Sequence, residues 1–144
     1  MFKQVFNRLW AFDCEWVPDL LAGRLLYNLD ASVSDEAVLA RMWKEGGATE
    51  ENPQPYLKTA ICKVVSIAFV SRYVEGNEIK LALHRLPADI NNAQELAEKN
   101  IIQTFLHALG KRKPQLVGYN SSNADLRILI QRGVAKGIYA PDFC

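Results

Sequence analysis

Blocks of apolar and polar positions along this chain predict the order strand, insertion, two strands, helix, strand, helix. Leu9-Trp10-Ala11-Phe12-Asp13-Cys14-Glu15-Trp16-Val17 has the form of a buried strand, and Pro18 and Asp19 break it. Ser34 is placed as a helix N-cap, with Asp35 and Glu36 in the first turn. Val38, Leu39, Met42 and Trp43 then form an apolar stripe, and Gly46-Gly47 ends it. Ala48 to Leu57, carrying Pro53 and Pro55, is a loop. Ile61 to Tyr73 is rich in β-branched residues, Glu75-Gly76-Asn77 is a turn, and Glu78 to His84 puts Ile79, Leu81 and Leu83 on one face; together they predict a hairpin. Asn92-Ala93-Gln94-Glu95 resembles a capping box and opens a helix through Ile101, Phe105 and Leu109 that stops at Gly110. Gln115 to Tyr119 is a short strand, and from about Asn123 a last helix runs to Gly133. A hairpin followed by βαβ-type crossovers implies an α/β fold, a mixed central sheet flanked by helices. No internal repeat interrupts it, so residues 1–144 are expected to form a single domain with a helical insertion at about 19–58.

Composition narrows the picture only a little. The chain is 49% apolar and 23% charged, ordinary values for a globular protein. It has no apolar run of about 18 residues, so no membrane partner is expected. The start shows no secretory signal, and three widely spaced cysteines, Cys14, Cys62 and Cys144, suggest neither a zinc site nor a disulfide framework. Both points fit a reducing cytoplasm. The net charge of +1 argues against a long grip on duplex, so any nucleic-acid contact should be local, with one strand end.

The chemistry sits in two places. Strand alternation puts Asp13 and Glu15 on one face, where two carboxylates repel each other and lose hydration unless a cation sits between them. Oxygen donors favour Mg²⁺ or Mn²⁺. The plainer reading is a strand end whose two acids face water. Cys14, on the opposite face, packs as a small hydrophobe. The second place is Leu116-Val117-Gly118-Tyr119-Asn120-Ser121-Ser122-Asn123-Ala124-Asp125, which takes a strand into a helix. Asp125 then either faces Asp13 as a third carboxylate or closes a capping box with Ser122. His84, His107 and the basic run Lys111-Arg112-Lys113 have ordinary structural explanations.

These segments resemble a known family. Phe12-Asp13-Cys14-Glu15-x-Val17-Pro18-Asp19 is similar to the first motif of the DEDD superfamily, 3′–5′ exonucleases with an RNase H-like fold, and most like the branch of predicted PolB-like 3′–5′ exonucleases. Asn120-x-x-x-x-Asp125-x-x-x-Leu129 is similar to the second motif. The resemblance implies an RNase H-like exonuclease fold and hydrolysis of terminal phosphodiesters of single-stranded DNA to nucleoside monophosphates. It implies a pair of Mg²⁺ or Mn²⁺ ions, with Asp13 bridging both, Glu15 on the ion that activates water and Asp125 on the ion at the departing 3′ oxygen. The implied partner is a single-stranded 3′ end, DNA rather than RNA, touched by Trp16, which could equally be a core residue, and by Asn120. Trp16 stands where the family usually has Thr, and Ala124 where it has Phe. A third motif, with a fourth carboxylate and a Tyr or His, is absent before Cys144, so the expectation is a C-terminally truncated domain, a fragment or a short natural form, with little turnover of its own. An exoribonuclease of the same superfamily and a non-catalytic RNase H-like nucleic-acid-binding module are the alternatives.

Overall fold

The architecture comes from a computed structural model, which describes residues 4–143. The described residues divide into two compact units, one formed by residues 4–15 and 64–143 and the other by 16–63. The stretch expected as an insertion at about 19–58 is thus a unit with wider bounds.

The first unit is built on a four-stranded sheet in the order β3-β2-β1-β4. Its strands are β1 (Arg8–Pro18), β2 (Cys62–Glu75), β3 (Glu78–Leu86) and β4 (Gln115–Val117). β2 and β3 form the expected antiparallel hairpin, from Ile67 opposite Leu86 to Glu75 opposite Glu78. Gly76 closes its turn at φ +61°, a conformation that costs glycine nothing. β1 and β4 run parallel, with Trp10 opposite Leu116 and Ala11 opposite Val117. The sheet is therefore mixed, as the pattern implied, and with its helices it has the RNase H-like exonuclease arrangement.

One face of the sheet holds the core. Trp10, Phe12 and Cys14 of β1 alternate inward with Ile67 and Phe69 of β2. Over them lies α4 (Glu98–Arg112), whose Ile101, Ile102, Phe105, Leu106 and Leu109 form one buried stripe. The aromatic rings meet there: centroids are 5.5 Å apart for Phe12–Phe105 and 5.6 Å for Phe69–Phe105. Each such pair contributes about 0.5–1.5 kcal/mol beyond its buried area. The last helix, α5 (Asp125–Ala135), lies beside α4, close enough that a Cβ on Gly133 would touch Leu106 at 3.7 Å.

A buried ion network ties these pieces together. The Glu98 carboxylate takes Nε and Nη2 of Arg132, each at 2.7 Å, as well as the Val64 N–H at 2.9 Å and Nζ of Lys136 at 3.2 Å. Burial alone would push Glu98 up, but the hydrogen bonds from Arg132, Val64 and Lys136 outweigh it and hold the carboxyl below its usual range.

Several elements differ from expectation. The helix opened by Asn92 is two helices. Asn92 caps α3 (Ala93–Leu96) through Oδ1, but Ala97 is extended at ψ 124°, and α4 starts afresh after it. Glu95 explains the break: its Oε2 accepts the N–H groups of Ala88 and Asp89, which anchors the short helix to the loop before it. At its other end α4 passes through Gly110 to Arg112, where Lys113 adopts a left-handed conformation at φ 45°. Gly110 faces Asp142, whose backbone leaves no room for a Cβ.

The second unit is helical. Its α2 (Asp35–Glu45) is capped by Ser34, as the sequence indicated. A helix that was not expected, α1 (Leu20–Tyr27), starts at Asp19, whose Oδ1 accepts from the amides of Leu21 and Ala22 at 3.1 and 3.3 Å. Asp followed by an apolar run is a start signal; Pro18 masked it. Gly23 lets α1 approach α2, since a Cβ there would lie 2.5 Å from Sδ of Met42.

Candidate active site

Strand β1 carries the first carboxylates. Its inward face is fully used by Trp10, Phe12 and Cys14, so Asp13 and Glu15 project from the opposite face and are exposed. The strand is therefore buried on one side only, not throughout. Two steps along a strand separate these acids by about 6.6 Å of backbone. Both face water, the plainer outcome considered for this triplet, and they still share one face.

The chain returns to this strand through β4. A Cβ on Gly118 would lie 2.6 Å from Cβ of Ser121 and 3.3 Å from the Phe12 carbonyl oxygen, so only glycine fits there. Asn120 then turns left-handed at φ 51°, and its carbonyl accepts from the amides of Asn123 and Ala124. Its Oδ1 also accepts from Nδ2 of Asn123, at 3.0 Å. Asn120 is exposed, and these bonds hold the loop that delivers Asp125.

Asp125 is only 3% exposed, and its Oδ1 accepts the backbone N–H of Cys14 at 3.0 Å. α5 starts without a side-chain cap from Ala124, and no Ser122 capping box forms. The carboxylate instead joins the strand that bears Asp13 and Glu15. Burial raises its pKa and the Asp13 charge adds to this, while hydrogen bonds from the amides of Cys14 and Asp125 itself act in the opposite direction. Burial, followed by the charges of Asp125, Asp13 and Glu15, drives the Cys14 thiol far above its ordinary range, so this cysteine is an inert packing residue.

Among the described residues no group of three or more His, Cys, Asp or Glu side chains converges as a metal-binding cluster. Trp16 belongs to the second unit, where its ring meets Tyr56 edge-on at 6.4 Å. A groove of about 630 Å³ runs beside Asp13, lined by Ala11, Val70, Leu83, Val117 and Tyr119. Tyr119 is 97% exposed, and sequence reasoning passed over it. An aromatic at the end of a strand, just before a turn, was the available signal.

No curated protein and no solved structure gives a significant match to the chain. Residues 54–144 match the family model described as predicted 3′–5′ exonuclease related to the exonuclease domain of PolB; they include Asn120 and Asp125 and begin after the strand of Asp13 and Glu15. The match covers more than half of the chain, and with the mixed sheet and its flanking helices it identifies this protein as a member of the family of predicted PolB-related 3′–5′ exonucleases.

Proposed function

We propose that this chain carries the carboxylate face of a metal-dependent 3′–5′ exonuclease, which cleaves the terminal phosphodiester of single-stranded DNA and releases a nucleoside monophosphate. The observation that carries this reading is the hydrogen bond from Cys14 to Asp125, which brings the start of α5 to the strand of Asp13 and Glu15. The donor set fits a hard divalent cation: all ligands are anionic oxygens, and the repulsion between Asp13 and Asp125 is of the kind a cation relieves. Asp13, Glu15 and the second oxygen of Asp125 would hold Mg²⁺ or Mn²⁺, which when bound supplies Lewis-acid charge and an activated water.

The chain's own groups do the rest. Asp13 presents its carboxylate to the groove, where a strand end can lie. The exposed Tyr119 ring offers a stacking surface for a base regardless of its identity. Gly118 lets the loop that delivers Asp125 pack directly against the strand. The Cys14 amide holds one oxygen of Asp125 and fixes the carboxylate against the strand of Asp13 and Glu15.

The absence of a converged three-donor group among the described residues supports the second reading, a non-catalytic nucleic-acid-binding module. The test is calorimetric titration of Mn²⁺ into the parent and Asp13→Asn, with release of nucleoside monophosphate measured from labelled single-stranded DNA and RNA. Weak Mn²⁺ binding and, at most, slow DNA hydrolysis, both lost in Asp13→Asn, are expected. Equal Mn²⁺ binding by the two proteins would remove the site. Binding that depends on Asp13 without hydrolysis would favour the module, and preference for RNA would indicate an exoribonuclease.

A further inference from the structure

A second cavity, of about 330 Å³, lies on the other side of the sheet. Alternation decides the side: Trp10 lines this cavity and is buried on the face opposite Asp13. Its volume is at the lower end of small-molecule sites.

One wall is a column of rings. Trp10 stacks on Phe69 at 4.4 Å and 25°, and Phe69 stacks on His84 at 4.5 Å and 16°. Trp10 is 2% exposed, and its indole Nε1 is a buried side-chain polar atom with no hydrogen-bond partner among the described residues. A buried indole N–H ordinarily finds an acceptor. The nearby hydroxyls are directed elsewhere: Ser71 Oγ lies 2.8 Å from Nε2 of His84, and Tyr73 Oη accepts from Arg112 at 3.2 Å.

Arg112 and Lys80 also line the cavity, and both are exposed at its mouth. The bond to Tyr73 uses one of the five donors of the guanidinium. Lys80 pairs with Glu75, an exposed pair of the kind that contributes little and yields readily to a stronger anion. Glu75 is thus a carboxylate close to Lys80, and the guanidinium is the stronger anchor for an anion.

We infer that this cavity binds a nucleoside monophosphate. The base lies against the ring column, where a π-face is welcome whatever the base. An acceptor on the nucleotide takes the Trp10 N–H, and the phosphate sits between Arg112 and Lys80. The choice of a nucleotide among aromatic anions rests on the hydrolysis proposed above, which releases one; the rings, the orphan N–H and the cations are independent of it.

The test is calorimetry on the full chain in EDTA, so that no divalent ion contributes. Adenosine monophosphate, adenosine and inorganic phosphate are titrated into the parent, Arg112→Gln, Ala82→Trp and Asp13→Asn. Ala82 lines the cavity, so a Trp side chain there fills it. Adenosine monophosphate should bind the parent and Asp13→Asn alike, and Arg112→Gln and Ala82→Trp at least tenfold more weakly. Adenosine or phosphate alone should bind the parent at least tenfold more weakly than the nucleotide. No binding, unchanged binding in both cavity variants, or loss in Asp13→Asn would overturn the proposal. Hydrolysis that depends on Asp13 without nucleotide binding removes this cavity alone. Nucleotide binding at the cavity without hydrolysis removes only the catalytic reading.

Discussion

The backbone N–H of Cys14 donates to Oδ1 of Asp125 at 3.0 Å, joining residues 111 positions apart. The bond does two things. It supplies a partner for a buried strand amide on the sequence that carries Asp13 and Glu15, and it fixes the orientation of a carboxylate that is itself buried. A side chain at the start of α5 thus reaches the backbone of β1.

This relationship makes Asp125→Asn and Asp125→Ala differ. The Asn amide oxygen can still accept the Cys14 N–H, whereas Ala leaves that amide orphaned at a cost of about 1–3 kcal/mol. Because the folded pKa of Asp125 is raised, the stability its protonated form contributes is complete below the unfolded value of about 3.9 and is lost as pH rises through the folded value. Urea denaturation should therefore find the Asn variant at least as stable as the parent at pH 7, with the gap shrinking towards pH 3. Equal destabilisation by Asn and Ala would show that the bond contributes nothing.

Glu98 gives the opposite sign. Its folded pKa is lowered, so its stabilisation is present above the unfolded value of about 4.3 and is lost as pH falls through the folded value. Glu98→Gln leaves the Arg132 guanidinium, only 6% exposed, without its counter-charge. The expected loss is about 3 kcal/mol at pH 7. Thermal unfolding of the parent from pH 6 to pH 2, beside Glu98→Gln, checks both points; the variant should lose less on acidification.

Gly118 is the close approach that seats the loop. In Gly118→Ala the new Cβ would sit 2.6 Å from Cβ of Ser121, and relieving that overlap should cost about 1–3 kcal/mol. Hydrogen exchange at the Cys14 amide should accelerate as the loop carrying Asp125 shifts. Removing the opposing Cβ by Ser121→Gly in the same chain should restore much of both losses. If the double variant is no better than Gly118→Ala, the contact with Ser121 does not determine the loop position.

Local pattern was enough for the hairpin, the short parallel strand and the helix capped by Ser34, because each is set by periodicity over a few residues and a turn or cap of definite chemistry. It was also enough for Asp13 and Glu15 to share a face, which follows from a period of two alone. Asp19 as the start of α1 was visible in the same terms, hidden only by the proline before it. What the sequence did not contain was whether β1 is covered on one face or on both. That depended on Phe105 and its neighbours on α4, almost a hundred residues away, closing over Trp10 and Phe12. The fate of Asp125 was undecided for the same reason: the capping box with Ser122 and the reach to β1 use the same oxygens. Only the fold, with β4 paired to β1, brings the Cys14 amide to 3.0 Å from Oδ1 of Asp125.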